Sequence, residues 1–238
     1  MILDKLFRKQ GDFLFKYRGQ FPVIIFILAI PFLYYTDSTY DSFMINICLF
    51  FAILFSLLGL LLRFYIVGTS SKGTSGRNRD KQIAAVLNCD GAYSVVRHPL
   101  YFANYLLWLG VSIFTFNIYF IIIISLLFWI YYERIMLTEE GFLVQKFGQY
   151  YLDWAERVPA FFPNIFIFKR PAIYFSYITV LRREYATLLS VVVSFAYIEL
   201  IRGYLQYGAL KINKSMLIIL IVVVVFVIAL KLLKTYTN

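Results

Sequence analysis

Apolar runs with little or no charge recur along the whole chain. A helix that crosses a bilayer needs roughly 20 apolar residues, with about 17 as the lower limit. Five such runs stand out: 19–36, 42–62, 98–132, 185–201 (interrupted by Glu199) and 215–230. The third run is too long for one span, so we predict two short helices that turn near Thr115–Asn117. The pattern predicts an all-α, polytopic integral membrane bundle of about six transmembrane helices, with this short helical hairpin at its core.

The composition excludes a soluble globular protein. The chain is 61% hydrophobic and 15% charged, whereas soluble domains are about 45–50% apolar and about 25% charged. Its net charge of +10 would suggest nucleic acid as a partner of a soluble protein. Here the basic residues flank apolar runs, a pattern typical of membrane topology and of attraction to anionic lipid. We therefore expect the membrane and lipid as partners, and no nucleic acid.

The charges between the apolar runs predict the orientation. Basic residues concentrate in the N-terminal segment and in residues 63–97 and 133–184, whereas residues 37–41 contain Asp37 and Asp41 and no Lys or Arg. Because basic loops stay on the cytoplasmic side, six spans with both termini cytoplasmic satisfy this pattern. The exceptions, which then fall outside, are Arg202, Lys211 and Lys214. We interpret the first run as a retained span and not as a cleaved signal peptide.

Three segments follow from this pattern: N-terminal membrane helices and a linker at 1–84, a core at 85–163 and an extension of about two membrane helices at 164–238. The Gly- and Ser-rich stretch 68–82 lacks the Lys-Ser/Thr ending of a phosphate-binding loop, so we interpret it as a solvated linker. Two cysteines without a CxxC spacing, together with a single histidine, give no indication of a disulfide framework or a metal site.

A first polar cluster lies at the start of the predicted hairpin, in the stretch Gly91–Asn104. Pro99 suits the first position of a helix, and the N-terminus of a helix favours an anion such as a carboxylate. Arg97 and His98 immediately precede it, and Tyr93 and Tyr101 lie on either side. Taken alone, Arg97 and His98 also fit a positive anchor at the membrane interface, and the tyrosines fit an aromatic belt.

A second polar cluster follows the hairpin. The adjacent carboxylates Glu139 and Glu140 lie on a helical pattern that we expect to end at Gly148, and Arg157 precedes Val158-Pro159. A solvated helix face is the simpler interpretation of this stretch alone. Because both clusters flank one short hairpin, however, we expect their side chains to meet in one site at the cytoplasmic membrane surface.

Together these residues resemble the isoprenylcysteine carboxyl methyltransferase and phospholipid methyltransferase superfamily. The first half of the shared pattern comprises Gly91, Tyr93, Arg97, His98, Pro99 and Tyr101. The second half comprises Glu139, Glu140, Leu143, Phe147, Gly148, Tyr151, Arg157, Val158, Pro159 and Pro163. The resemblance covers about residues 85–163. Ala103 and Trp154 depart from it, where the family often has Gly and Tyr, respectively.

The resemblance implies an enzyme that uses S-adenosylmethionine as methyl donor. Carried over, the cofactor-binding residues are Tyr93, Arg97, His98, Tyr101, Glu139 and Glu140. Of these, Arg97, or the N-terminal end of the helix that follows it, is expected near the cofactor carboxylate, and Glu139 or Glu140 at its amino group. Glu140 is also a candidate catalytic residue together with Arg157, which matches the arginine that faces the methylated group.

An ionised acid needs no general base to attack an activated methyl group, and a cation such as Arg157 would hold it in place. The sequence therefore favours O-methylation of a carboxylate or phosphate on a lipidic substrate. N-methylation of a phospholipid amine is the first alternative. A transporter or structural membrane protein without methyl chemistry is the second, although ionisable residues inside the predicted spans are few.

Overall fold

A computed structural model describes residues 2–36, 41–71, 82 and 84–236, so most of the predicted linker 68–82 lies outside the described residues. Helices account for nearly all of the regular structure: α1 (Ile2–Tyr17), α2 (Phe21–Tyr34), α3 (Ser42–Thr69), α4 (Pro99–Ile113), α5 (Ile118–Phe147), α6 (Gln149–Ala155), α7 (Tyr177–Tyr207) and α8 (Lys214–Tyr236). Short 3-10 turns occupy Ala92–Ser94 and Ile165–Ile167. No β-strand occurs in the described ranges, so the all-helical prediction is confirmed.

Four helices are long and apolar enough to cross a membrane, namely α3, α5, α7 and residues 214–232 of α8. The apolar part of α2 (Val23–Tyr34) and α4 are shorter. At about 1.5 Å per residue they reach about 18 Å and 22 Å, less than the ~30 Å hydrocarbon core. A membrane protein with at least four candidate spans is therefore supported, and the number six stays a prediction.

The predicted hairpin is confirmed at its turn, with α4 and α5 separated by residues 114–117. The prediction of two short helices is wrong for α5, which has 30 residues, whereas α4 has 15. Pro99 starts α4 at a position where its missing N–H costs nothing. Asn117 caps α5, because its side chain accepts a hydrogen bond of 3.0 Å from the N–H of Phe120. Gly148 ends α5 with a φ of 56°, a conformation that favours glycine. The helix predicted to end at Gly148 is thus the continuation of the fourth predicted span.

Small residues allow α3 and α4 to pack closely. A side chain at Gly59 would collide with Leu107 and the Ala103 carbonyl, and one at Gly110 would collide with Ser56 and the Ala52 carbonyl. Such close approach of backbones is typical of helix pairs in membranes. It fixes the N-terminal end of α4, where His98 lies, against the C-terminal half of α3.

The sequence did not predict that the basic N-terminal segment forms the helix α1, which packs along the second half of α5. The extension also joins the bundle, since α7 packs against α2 and α3 and carries α8 on its outer side. The Ser176 N–H donates to the Gly68 carbonyl at 2.9 Å. Arg202 lies against Phe114 and Phe116, at the end of the bundle opposite His98. The three-segment division and the orientation in the membrane stay predictions.

Candidate active site

The two sequence clusters meet through their backbones. The N–H of Arg97 donates to the Pro159 carbonyl at 2.8 Å, and the N–H of His98 donates to the Ala160 carbonyl at 3.2 Å. A further hydrogen bond of 2.9 Å joins the Asn164 N–H to the Val95 carbonyl. Phe161 is buried against the hairpin helices, with its ring 5.8 Å from that of Phe102. The segment after α6 therefore holds the start of α4 in place.

The paired carboxylates at the end of α5 converge on His98. Nε2 of the imidazole lies 3.0 Å from Oε1 of Glu140, and Nδ1 lies 3.6 Å from Oε2 of Glu139. The guanidinium of Arg97 pairs with the same Glu140 oxygen at 3.3 Å, and its Nη1 donates to the Ala155 carbonyl at 3.3 Å. Glu140 thus binds two adjacent basic residues, Arg97 and His98, at the N-terminal end of α4.

Glu139 points the other way, toward the aromatic side of the site. The Tyr101 hydroxyl donates to its Oε1 at 2.5 Å. The Tyr101 ring stacks on His98, with ring centroids 5.7 Å apart and an interplanar angle of 15°. Burial, with a smaller contribution from the charge of Glu139, raises the pKa of Tyr93 to about 12, so its phenol stays neutral and able to donate a hydrogen bond.

His98 is nearly fully buried, which by itself lowers the pKa of its imidazole. Hydrogen bonds and charge from Glu139 and Glu140 together outweigh this, so the pKa of His98 lies above its ordinary value of 6.5. A protonated imidazole donates from both nitrogens, which suits a ring with one carboxylate beside each nitrogen.

This arrangement predicts a pH dependence. Because the folded-state pKa of His98 is raised, its stabilisation of the site is fully present below about pH 6.5 and is lost as the pH rises through the raised value. His98 is the only histidine, so ¹⁵N-histidine labelling gives a single imidazole titration, which we expect above pH 6.5. The thermal midpoint should fall over the same window, and His98→Gln should remove that step. A titration below pH 6.5 would contradict the placement of His98 between the carboxylates of Glu139 and Glu140.

These side chains line a cavity of about 820 Å³, within the range of ligand pockets in proteins. Of the predicted site residues, the cavity wall includes Tyr93, Arg97, His98, Tyr101 and Glu139. Glu140 does not line the cavity itself but binds two residues that do, Arg97 and His98. The structure therefore brings together all six predicted cofactor-binding residues.

Arg157 is placed differently. Its side chain is exposed just after α6, and its Nε donates to the Asp153 carbonyl at 2.9 Å. It does not line the cavity formed by the described residues, so its contact with a substrate stays a prediction. Tyr151 is buried beside Glu140, and burial together with that negative charge raises the pKa of its phenol.

Four polar residues that the sequence did not single out also line the cavity: Arg63 on α3, Asn104 on α4, Tyr132 on α5 and Glu184 on α7. Arg63 was interpreted as a loop charge after a span ending at residue 62, but α3 continues through it to Thr69. The available signal was an arginine with apolar residues on both sides, which inside a membrane indicates a functional position.

Part of the chain is similar to known methyltransferases. The phospholipid methyltransferase family matches residues 47–150. A protein-S-isoprenylcysteine O-methyltransferase from Schizosaccharomyces pombe is 34% identical over 91 residues, which cover 38% of this chain and 37% of that protein. Protein-S-isoprenylcysteine O-methyltransferase B from Arabidopsis thaliana is 31% identical over 77 residues, or 32% of this chain and 39% of that protein. Residues 47–150 are therefore similar to the phospholipid methyltransferase family, and two of the matching relatives are isoprenylcysteine O-methyltransferases.

Other relatives of this chain carry different names. The nickel-cobalt-cadmium resistance protein NccN from Alcaligenes xylosoxydans xylosoxydans is 32% identical over 96 residues, which cover 40% of this chain and 45% of that protein. The chain spans less than half the length of the curated relatives it matches. No solved structure matches it. Within the described part of the chain, no group of three or more His, Cys, Asp or Glu side chains is placed to hold a metal ion.

The similarity to methyltransferases implies S-adenosylmethionine as methyl donor, and the chemistry of the site fits that molecule. The Glu139 carboxylate matches a cationic group, and Arg97 at the positive end of α4 matches a carboxylate. The rings of Tyr93 and Tyr101 provide aromatic faces of the kind that bind sulfonium and other cations.

Proposed function

We propose that this protein is an integral membrane methyltransferase that uses S-adenosylmethionine to O-methylate an acidic group, a carboxylate or a phosphate, of a lipidic substrate. The observation that carries the proposal is the convergence of Arg97, His98, Tyr101 and Glu139 on one cavity at the mouth of the α4–α5 hairpin. The named relatives that methylate isoprenylcysteine favour a carboxylate acceptor.

The contacts of each residue support the role that we propose for it. Arg97 binds the cofactor carboxylate, and Glu140 keeps Arg97 and His98 oriented. Glu139, held by Tyr101, binds the cofactor amino group. S-adenosylmethionine supplies an activated methyl group when bound, so the protein needs to align the acceptor and exclude water. An ionised acceptor oxygen would take the methyl group from the sulfonium without a general base, and S-adenosylhomocysteine would leave as the S–CH3 bond breaks.

The shape of the cavity supports a lipidic acceptor. One end is lined by the charged and aromatic residues described above, and the other is lined by apolar residues of α2, α4 and α7, among them Phe26, Val111 and Val191. A substrate with an acidic head and an apolar chain matches both ends. We propose that the polar end faces the cytoplasm, where S-adenosylmethionine is available.

The direct test is methyl transfer from radiolabelled S-adenosylmethionine by protein reconstituted in lipid vesicles. We expect label in N-acetyl-S-farnesylcysteine, released as methanol by mild base because a carboxyl methyl ester is base-labile, or label in phosphatidic acid, where the methyl phosphodiester is base-stable and is identified by comigration with phosphatidylmethanol. Base-stable label in phosphatidylethanolamine would instead indicate N-methylation. If folded protein transfers no label to any of the three and does not bind the cofactor, the methyltransferase proposal fails.

A further inference from the structure

Another group of polar residues, different from the two sequence clusters, lies in the same cavity, beyond the residues assigned to the cofactor. It consists of Arg63, Asn104, Tyr132 and Glu184, one residue from each of four helices. We propose that this cluster is the acceptor site, with Arg63 as the cation that binds the acidic group of the amphiphile. The inference deepens the proposed function and rests on it.

Arg63 is oriented by Glu184 and Asn104, and some of its N–H groups are not used in these hydrogen bonds. Its Nε and Nη2 pair with the Glu184 carboxylate at 2.7 and 2.9 Å, and its Nη1 donates to Oδ1 of Asn104 at 2.5 Å. A guanidinium carries five N–H groups, and these bonds use three of them. Among the described residues nothing else accepts from Arg63, so two of its N–H groups remain for a ligand.

Tyr132 adds a third donor beside them. Nδ2 of Asn104 donates to the Tyr132 hydroxyl at 3.1 Å, so that oxygen acts as the acceptor and its own proton is still available. The side chain is 5% exposed, and its hydroxyl accepts no other donor and donates to no acceptor in the described part of the chain. Two N–H groups and one O–H group, next to a fixed positive charge, match the oxygen atoms of a carboxylate or a phosphate monoester.

The cluster lies next to the cofactor residues. The Tyr132 ring packs on that of Tyr101 with centroids 4.6 Å apart, and Tyr101 bonds to Glu139. On the other side, Leu107 and Trp108 continue the cavity wall as an apolar surface. An acidic head group bound at Arg63 would therefore lie between the methyl donor and an apolar channel for the hydrocarbon chain of the substrate.

The α7 helix completes this site, although it lies outside the family match at residues 47–150. It supplies Glu184, which is 4% exposed and orients Arg63, and Thr187 and Val191 in the cavity wall. A buried pair of opposite charges is costly in a membrane, and such residues mark ligand pathways. We infer that the extension helps to select the acceptor and is not a separate module.

The test measures acceptor binding in the absence of turnover. Protein in nanodiscs, saturated with S-adenosylhomocysteine, is titrated with N-acetyl-S-farnesylcysteine, with its neutral primary amide and with phosphatidic acid. The two acids identify which source of the anion the site prefers. The main variant is Arg63→Gln/Glu184→Gln, which keeps a hydrogen-bonding pair and leaves no buried charge unpaired. Arg170→Gln, the same change at an exposed position, is the matched control.

Wild-type protein and the control should bind at least one acid about 10- to 100-fold more tightly than the amide, the range of a charge-assisted hydrogen bond. The double variant should lose this preference and keep its affinity for S-adenosylhomocysteine, which also shows that it is folded. Tyr132→Phe, which removes one donor, should weaken acid binding and leave amide binding unchanged. A preference for the acid that survives in both variants, or that disappears only in Arg157→Gln, overturns the proposal.

The measurements of acid binding and of methyl transfer distinguish failure of the acceptor-site proposal from failure of the proposed function. If the double variant loses acid binding but the wild-type protein forms no methyl ester, the proposed function is wrong and Arg63 still marks an anion site. If the wild-type protein forms the ester and the double variant retains its KM for the acid, the methyltransferase function stands and the acceptor site proposed here is wrong.

Discussion

Replacing Glu139 with glutamine is expected to weaken S-adenosylmethionine binding about 10- to 100-fold. Glu139 is the paired carboxylate that lines the cavity, and its Oε1 accepts the Tyr101 hydroxyl at 2.5 Å. The amide keeps the size of the side chain but removes the negative charge that binds a cationic group of the cofactor. Calorimetric titration of the detergent-solubilised protein measures the effect directly.

Glu133→Gln is the matched control for this change. Glu133 lies on the same helix, is 43% exposed and pairs with Arg134 outside the cavity, so its replacement should leave binding unchanged. S-adenosylhomocysteine, which lacks the sulfonium charge, identifies the group that Glu139 contacts. Equal weakening of both ligands indicates the amino group, and selective weakening of S-adenosylmethionine indicates the sulfonium. Wild-type affinity in Glu139→Gln would exclude Glu139 from the cofactor site.

The sequence predicted the helical class, the hairpin and the meeting of two motif clusters, because each depends on local signals. Apolar runs report helices, Pro99 reports a helix start and Gly148 a helix end. The paired glutamates lie on α5, at a distance from the turn that is set by the length of the helix. Their convergence on His98 at 3.0 and 3.6 Å therefore follows from motif spacing and one short turn.

The sequence did not predict the four-helix cluster around Arg63, because that cluster depends on packing between distant segments. Arg63 and Glu184 are 121 positions apart, and nothing in either local pattern indicates the other. Charges at the edges of apolar runs were assigned to loops, which is the usual outcome at a span end. Here α3 and α7 extend beyond their apolar runs, which brings both charges into the bundle.

The sequence also did not predict that the two adjacent glutamates have different contacts. Adjacent residues on a helix point about 100° apart, so Glu139 and Glu140 face different surroundings, although both carboxylates reach His98. The position of α4 decides which of them faces the cavity. Glu139 takes that position, and Glu140 binds Arg97 and His98. A catalytic role for Glu140 therefore stays a prediction, and the structure supports it as a positioning residue.

Replacing Arg63 alone should have the largest effect on stability. Arg63→Gln leaves the Glu184 carboxylate, 4% exposed, without its cation in a buried site. Loss of one member of a buried ion pair costs about 3–5 kcal/mol, because the remaining charge is uncompensated. We expect a loss of that size in the free energy of unfolding, measured by SDS titration of the protein in mixed micelles.

The double variant Arg63→Gln/Glu184→Gln provides the decisive comparison, because it removes the stranded charge. It should recover most of the stability lost in Arg63→Gln, since two neutral amides can hydrogen bond to each other and to Asn104. Glu184→Gln alone should cost less than Arg63→Gln, because a guanidinium at 16% exposure is less buried than the carboxylate and retains Asn104 as an acceptor. If the single and double variants are equally destabilised, the two charges do not interact, and the pairing of α3 with α7 through these residues is wrong.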